Sequence, residues 1–280
     1  MYALGAGVSR YLGTPVNWGW FFLGHVWITL LQLSTHYLNE YFDAPADMRN
    51  RNRTLFSGGS GAIGPGKLLR STALYAGIVC LAIVTSTTVL LIRYVPLPPA
   101  TVLVMALIFL GAFFYAVPPI RLESSGYGEL TSSILVANLV PAFALLVQTG
   151  DLHRLLAMST FPLTLLHLAM LLALELPDYA TDIKFEKNTL LVRIGWEPGM
   201  RMHNFLILGA YLILGLAVVL GLPPAIALPA FLSLPLGMLQ IFQMNRIAAG
   251  AKPNWTTLTL AAVTLFSATA YLLAFSFWSR

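Results

Sequence analysis

Apolar residues in this chain come in blocks long enough to cross a hydrocarbon core, and this constrains the fold more than any other feature. A helix needs about 20 mainly apolar residues to span a bilayer. Such windows recur at 16–38, 70–92, 99–117, 131–149, 156–176, 203–221, 224–243 and 256–278. They predict an all-α fold, a polytopic transmembrane helix bundle of about eight spans. Composition agrees, since 58% of the 280 residues are hydrophobic and 10% are charged. A soluble domain carries roughly 25% charged residues to cover its surface. Glycine and proline recur within the blocks, as membrane helices tolerate. Short turns such as Val95-Pro-Leu-Pro-Pro99 predict close antiparallel neighbours. With no linker or low-complexity tail in view, the chain reads as a single domain over 1–280.

Charge then assigns the two sides. Threading the eight spans puts the connections 39–69, 118–130, 177–202 and 244–255 on one side. Of the 16 Lys and Arg, only Arg10, Arg93, Arg154 and Arg280 fall on the other. Basic loops stay in the cytoplasm, so the first side is predicted to face it, as in a prokaryotic plasma membrane. Acids do not set orientation, yet of the 11 only Asp151 lies on the far side. The polar chemistry therefore belongs to one face. The net charge of +5 reads as orientation and as contact with membrane lipid or an anionic substrate, not as a nucleic-acid surface. The single Cys80 reads as a buried small hydrophobe, and no cleavable signal peptide is evident at the start.

Two acid clusters stand where predicted spans leave the membrane. The first is Asn39-Glu-Tyr-Phe-Asp43-Ala-Pro-Ala-Asp47, with polar anchors four residues apart and so on nearly one helical face. The second is Glu175-Leu-Pro-Asp178-Tyr-Ala-Thr-Asp182, followed by Lys184 and Lys187. Carboxylates at membrane depth are costly and repel one another unless a cation or a watery cavity compensates them. Oxygen-only donors beside Lys and Arg fit Mg2+ bridging to a phosphate. Mg2+ takes only one or two carboxylates and draws its other ligands from water and substrate.

Together the clusters bring a family into view. Asn39-x3-Asp43-x3-Asp47 and Asp178-x3-Asp182-x4-Lys187-x-Thr189-Leu190-x2-Arg193-x-Gly195 resemble the two aspartate-rich motifs of the UbiA-type intramembrane prenyltransferases, and the resemblance runs nearly the length of the chain. It implies nine helices around a central cavity, Mg2+ as cofactor, and transfer of a prenyl group from a polyprenyl diphosphate to an aromatic acceptor. By this resemblance Asp43, Asp47, Asp178 and Asp182 are the catalytic carboxylates, and Asn39 and Glu175 join them as metal ligands. Lys187, Arg53 and Arg193 would meet phosphate oxygens, and Tyr115 and Arg121 would lie near the acceptor. Segments 39–43, 58–61 and 126–129 look most like the branch that prenylates 1,4-dihydroxy-2-naphthoate in menaquinone biosynthesis.

Departures from the family pattern give further expectations. The family has a helix before the first motif, and here only Ala3-Leu-Gly-Ala-Gly7 resembles its tail, so that helix is expected to be missing. Pro45 and Pro177 each remove a helical hydrogen bond and predict kinks. Glu186 replaces the usual glycine before the lysine. The run Gly58-Gly-Ser-Gly61 lacks the Lys-Ser/Thr ending of a nucleotide loop and reads as a tight cap over the site. Arg49 and Arg51 read either as phosphate contacts or as orientation charges. The scattered histidines read as core or interfacial residues, and Asn138 as a helix–helix contact. An ion-coupled transporter is the rival reading, but it calls for a mid-bilayer polar cluster and paired interrupted helices, and the sequence has neither.

Overall fold

The computed structural model describes residues 1–50 and 52–280, so Arg51 lies outside the described residues. Among them every long element is a helix, and the one β feature is an isolated bridge between Ile63 and Leu68. A short helix α1 (Tyr2–Tyr11) precedes α2 (Trp18–Asp47), α3 (Arg70–Tyr94) and α4 (Pro99–Ala116). Next come α5 (Gly128–Ile134) and α6 (Val140–Thr149), joined by a π-helical turn at Leu135–Leu139 into one continuous run, then α7 (Arg154–Glu175). Two short helices, α8 (Tyr179–Lys184) and α9 (Leu190–Ile194), lead to α10 (Trp196–Val219). The chain closes with α11 (Pro224–Ala227), a 3-10 segment Leu228–Ser233, α12 (Leu234–Ala248) and α13 (Trp255–Trp278).

Among the described residues seven helical runs are long and apolar enough to cross a membrane, each overlapping most of a predicted span: 70–94, 99–116, 128–149, 154–175, 196–219, 224–248 and 255–278. The remaining predicted span, 16–38, falls in the 30-residue α2 from Trp18 onward, which is outside that group of seven. Its Gln32, Ser34, Thr35 and His36 dilute the apolar content without shortening the helix. The bundle is apolar outside as well as inside. Phe205, Leu212 and Val219 of α10 stay more than 70% exposed, as suits helices surrounded by lipid rather than water.

The segment expected to be the tail of a lost helix is itself helical and buried. Leu4, Ala6 and Val8 of α1 are fully enclosed, against α6 and α13. A Cβ at Gly5 would stand 1.9 Å from the Pro141 carbonyl oxygen, so glycine lets the two backbones touch, in the manner of small-residue membrane contacts. Polar pairs tie other helices together. Asn138 donates to Thr164 Oγ1 across the π turn, Ser133 meets His167 at 3.0 Å, and His203 meets Gln240 at 3.1 Å. These two histidines and Asn138 are thus interhelical contacts, as the sequence suggests.

Candidate active site

Both acid clusters fall at one end of the bundle, but on different scaffolds. Asn39, Asp43 and Asp47 occupy successive turns of α2, which runs through Pro45 to Asp47. Their spacing of four therefore gives one polar stripe, and the expected kink does not end the helix. The second cluster is broken. Helix α7 stops at Glu175, one residue before Leu176-Pro177, and Asp178 becomes the N-cap position of α8, which carries Asp182. Proline lacks the N–H that would continue α7.

Cross-links bring the clusters together. The Lys187 ammonium donates to Asp43 Oδ2, and Arg121 Nη2 donates to Asp43 Oδ1 at 2.9 Å and to Glu123 Oε1 at 2.8 Å. Asn50 Nδ2 donates to Asp178 Oδ1 at 2.6 Å, and Asn52 Nδ2 to the Pro177 carbonyl at 3.3 Å. Asp43 is only 4% exposed, and two cations offset the cost of burying it. Arg121 reaches it from a left-handed backbone, φ 43°, which few non-glycine residues adopt.

Burial dominates the acid–base state of the groups outside the spans. It pushes the Asp178 carboxyl up to about 7, helped by the nearby Asp182 and Asp47 charges and opposed by the Asn50 hydrogen bond. Burial raises Asp182 to about 6, with Lys187 opposing and Asp43 adding to the rise. Burial and the Asp43 charge raise Glu123 to about 7, against Lys187 and Arg121. Burial lowers Lys187, but the charges of Asp43 and Glu123 outweigh it, so the net shift is upward and the side chain stays cationic. A cation placed beside such carboxyls would favour their charged form.

The donors suit Mg2+. All are oxygens, and Asn39 Oδ1 is buried without a partner while its Nδ2 donates to Asp43 Oδ2 at 3.2 Å. An orphaned buried acceptor is costly unless something fills its place. Among the described residues no three of His, Cys, Asp and Glu lie together closely enough to hold a metal ion by themselves.

Other predicted residues distribute around this core. Glu175 accepts the Leu191 N–H at 3.3 Å, so its carboxylate is engaged with backbone. Arg53 donates to the Ser60 carbonyl and, with Lys252, lines a separate cleft of about 470 Å3. Arg193 lies over the Tyr127 ring at 5.1 Å, in the space left by Gly126, and is not joined to the aspartates. Tyr115 is half-buried on α4, near the charges of Glu123, Glu129, Glu175 and Asp43. Arg49 rests on the Phe185 ring at 5.4 Å.

The glycine run closes over the first cluster. A Cβ at Gly59 would meet Asp47 Oδ2 at 2.4 Å, and one at Gly61 would overlap the Arg53 guanidinium. Glu40 holds the loop by accepting from the Ser60 N–H and hydroxyl. Asn50, Glu123 and Glu40 are site neighbours not singled out from sequence. The only trace of Asn50 was the polar run after Asp47.

A family model described as the UbiA prenyltransferase family matches residues 2–253. The chain belongs to the UbiA prenyltransferase family. Comparison with curated proteins gave no match. Among solved structures, this UbiA family member is similar to a chain described as a UbiA homolog from Archaeoglobus fulgidus bound to DMAPP and Mg2+. The two share 14% identity and a TM-score of 0.68, over 97% of this chain and 94% of that one. At that identity the likeness establishes a common fold.

Proposed function

We propose that this chain transfers a prenyl group from a polyprenyl diphosphate to an aromatic acceptor, 1,4-dihydroxy-2-naphthoate of menaquinone biosynthesis, at a site facing the cytoplasm. The observation that carries the reading is the joining of the two aspartate motifs through Lys187–Asp43 and Asn50–Asp178. The homolog that shares the fold is described with DMAPP and Mg2+ bound, which supports an allylic diphosphate as substrate here.

In this mechanism Asn39, Asp43, Asp47, Asp178 and Asp182 would hold Mg2+, with Glu175 beside them. The metal would neutralise the diphosphate oxygens and so stabilise the leaving group. Lys187 supplies a fixed positive charge where negative charge builds as the allylic C–O bond breaks and its electron pair leaves with the diphosphate. The Gly58–Gly61 cap excludes water from the allylic cation. An electron-rich ring carbon of the acceptor attacks that cation to form the new C–C bond. Loss of the carboxyl group as CO2, or of a ring proton, restores aromaticity. Arg121 is shared by Asp43 and Glu123. Its guanidinium has further donors with which it would meet an acceptor carboxylate.

The test is competition between dihydroxynaphthoate and p-hydroxybenzoate, with radiolabelled prenyl diphosphates of several lengths, with and without Mg2+. Mg2+-dependent labelling of dihydroxynaphthoate is the expected outcome. Labelling of p-hydroxybenzoate alone would leave a prenyltransferase with another acceptor. No transfer to any acceptor, with diphosphate-independent ion flux, would favour a transporter.

A further inference from the structure

Among the described residues no cation forms an ion pair with Glu129 or Glu175. The ion pairs among the described residues involve Arg121, Lys187, Asp43 and Glu123 only, yet Glu129 is 3% exposed and the two carboxyl groups lie against each other. Uncompensated buried acids are expensive, so their placement calls for a reason.

What they touch supplies one. Between Asp182 and α9 the backbone N–H groups find partners on several elements. Lys187 donates to the Asp182 carbonyl at 2.9 Å and Asn188 to the Ser124 carbonyl at 3.3 Å. Leu190 donates to Glu129 Oε1 at 2.8 Å and Leu191 to Glu175 Oε2 at 3.3 Å. Val192 donates to its own N-cap, Thr189 Oγ1. Helix α9 has five residues, too few to hold itself, and its opening N–H groups have no intrahelical partner. The acceptors come from α5 and α7, the two membrane helices beneath it. Lys187 lies three residues before Leu190, a reach of at most ~10 Å, so movement at Leu190 passes directly to the ammonium on Asp43.

We propose that Glu129 and Glu175 are positioning residues that clamp the start of α9 to α5 and α7 and thereby set Lys187 against Asp43. The inference rests on the diphosphate-binding reading above. The clamp acts on affinity for the diphosphate and leaves the acceptor side alone. It needs an acceptor oxygen at position 129, not a particular charge.

The experiment uses the full chain in lipid nanodiscs with geranyl diphosphate and Mg2+. Glu129→Ala should raise the Kd for geranyl diphosphate at least tenfold and speed amide exchange across 187–192, with the acceptor KM within twofold of wild type. Glu129→Gln, whose carbonyl can still accept from Leu190, should restore most of the affinity. If Glu129→Ala does not fold, Glu129→Asp carries the test, because it keeps the charge and withdraws the acceptor by one methylene. It too should raise the Kd. An unchanged Kd in a folded Ala or Asp variant, or a Gln variant as impaired as Ala, would overturn the clamp. A wild-type chain that binds no geranyl diphosphate would overturn the functional reading itself, and the clamp's role with it.

Discussion

Lys187 donates a hydrogen bond to Asp43 across 144 positions of sequence, and this contact joins the second aspartate motif to the first. Both partners are largely withdrawn from solvent, at 16% and 4% exposure. Removing one member of such a pair leaves an uncompensated charge, with a cost of about 3–5 kcal/mol when burial is complete. Amide isosteres keep the side-chain volume and one acceptor oxygen, so they disturb packing least and are the better probes. Asp43→Asn and Asp178→Asn should each reduce kcat/KM for prenyl transfer by at least about 100-fold, roughly 2.7 kcal/mol of transition-state stabilisation. Each variant should remain folded in detergent. Near wild-type activity at limiting Mg2+ in both would remove the two-cluster site from the mechanism.

The raised carboxyls predict an uncommon pH dependence. Asp178 and Glu123 are held at about 7 and Asp182 at about 6, against about 4 in an unfolded chain. Between those limits the folded state binds more protons, so these groups oppose folding increasingly as pH rises from about 4 to about 7, and steadily above that. Metal-free protein should melt at a higher temperature at pH 5.5 than at pH 8. Mg2+-dependent diphosphate affinity should run the opposite way and improve as pH rises through 6 to 7, because protons and the cation compete for the same oxygens. Calorimetric scans and titrations across that range test both slopes; parallel slopes would contradict the assignment.

Position 186 carries local strain. Glu186 sits at φ 56°, a left-handed conformation that costs a side-chain-bearing residue about 1 kcal/mol and glycine almost nothing. Glu186→Gly should therefore raise the melting temperature by a degree or more without loss of activity. Lower stability would mean that Glu186 makes a compensating interaction.

Gly59 should show the reverse. It lies at φ 74°, and any Cβ would displace the Asp47 carboxylate. Gly59→Ala is expected to cut kcat/KM about tenfold or more through loss of carboxylate placement, and to lower the melting temperature by a degree or more, since alanine carries the left-handed strain that glycine avoids. An unchanged rate would show that the cap stands apart from the chemistry.

Orientation is open to direct chemistry. Native Cys80 is buried, so background labelling should be low after its replacement by alanine. Cysteines at the exposed positions 55 and 186 should react from the cytoplasmic side, and one at 151 from the opposite side, as the basic-residue asymmetry requires. The opposite pattern would invert the site's location.

Local pattern was enough for much of this protein. Blocks of about 20 apolar residues have few outcomes in lipid, because backbone polar groups there must be satisfied within the helix. Hence the spans and the one-sided distribution of acids could be read directly. The same holds for Asn39, Asp43 and Asp47, whose spacing on α2 is a property of helix geometry alone. Tertiary structure decided what no local period encodes. It gave Lys187 and Arg121 to Asp43, turned Arg193 onto Tyr127, and set Arg53 against Ser60 instead of an aspartate. It also put Asn50 on Asp178 and engaged Glu175 and Glu129 with the start of α9. Those pairings depend on where a broken helix re-enters and on which buried group still lacks a partner, and both are settled only when the bundle closes.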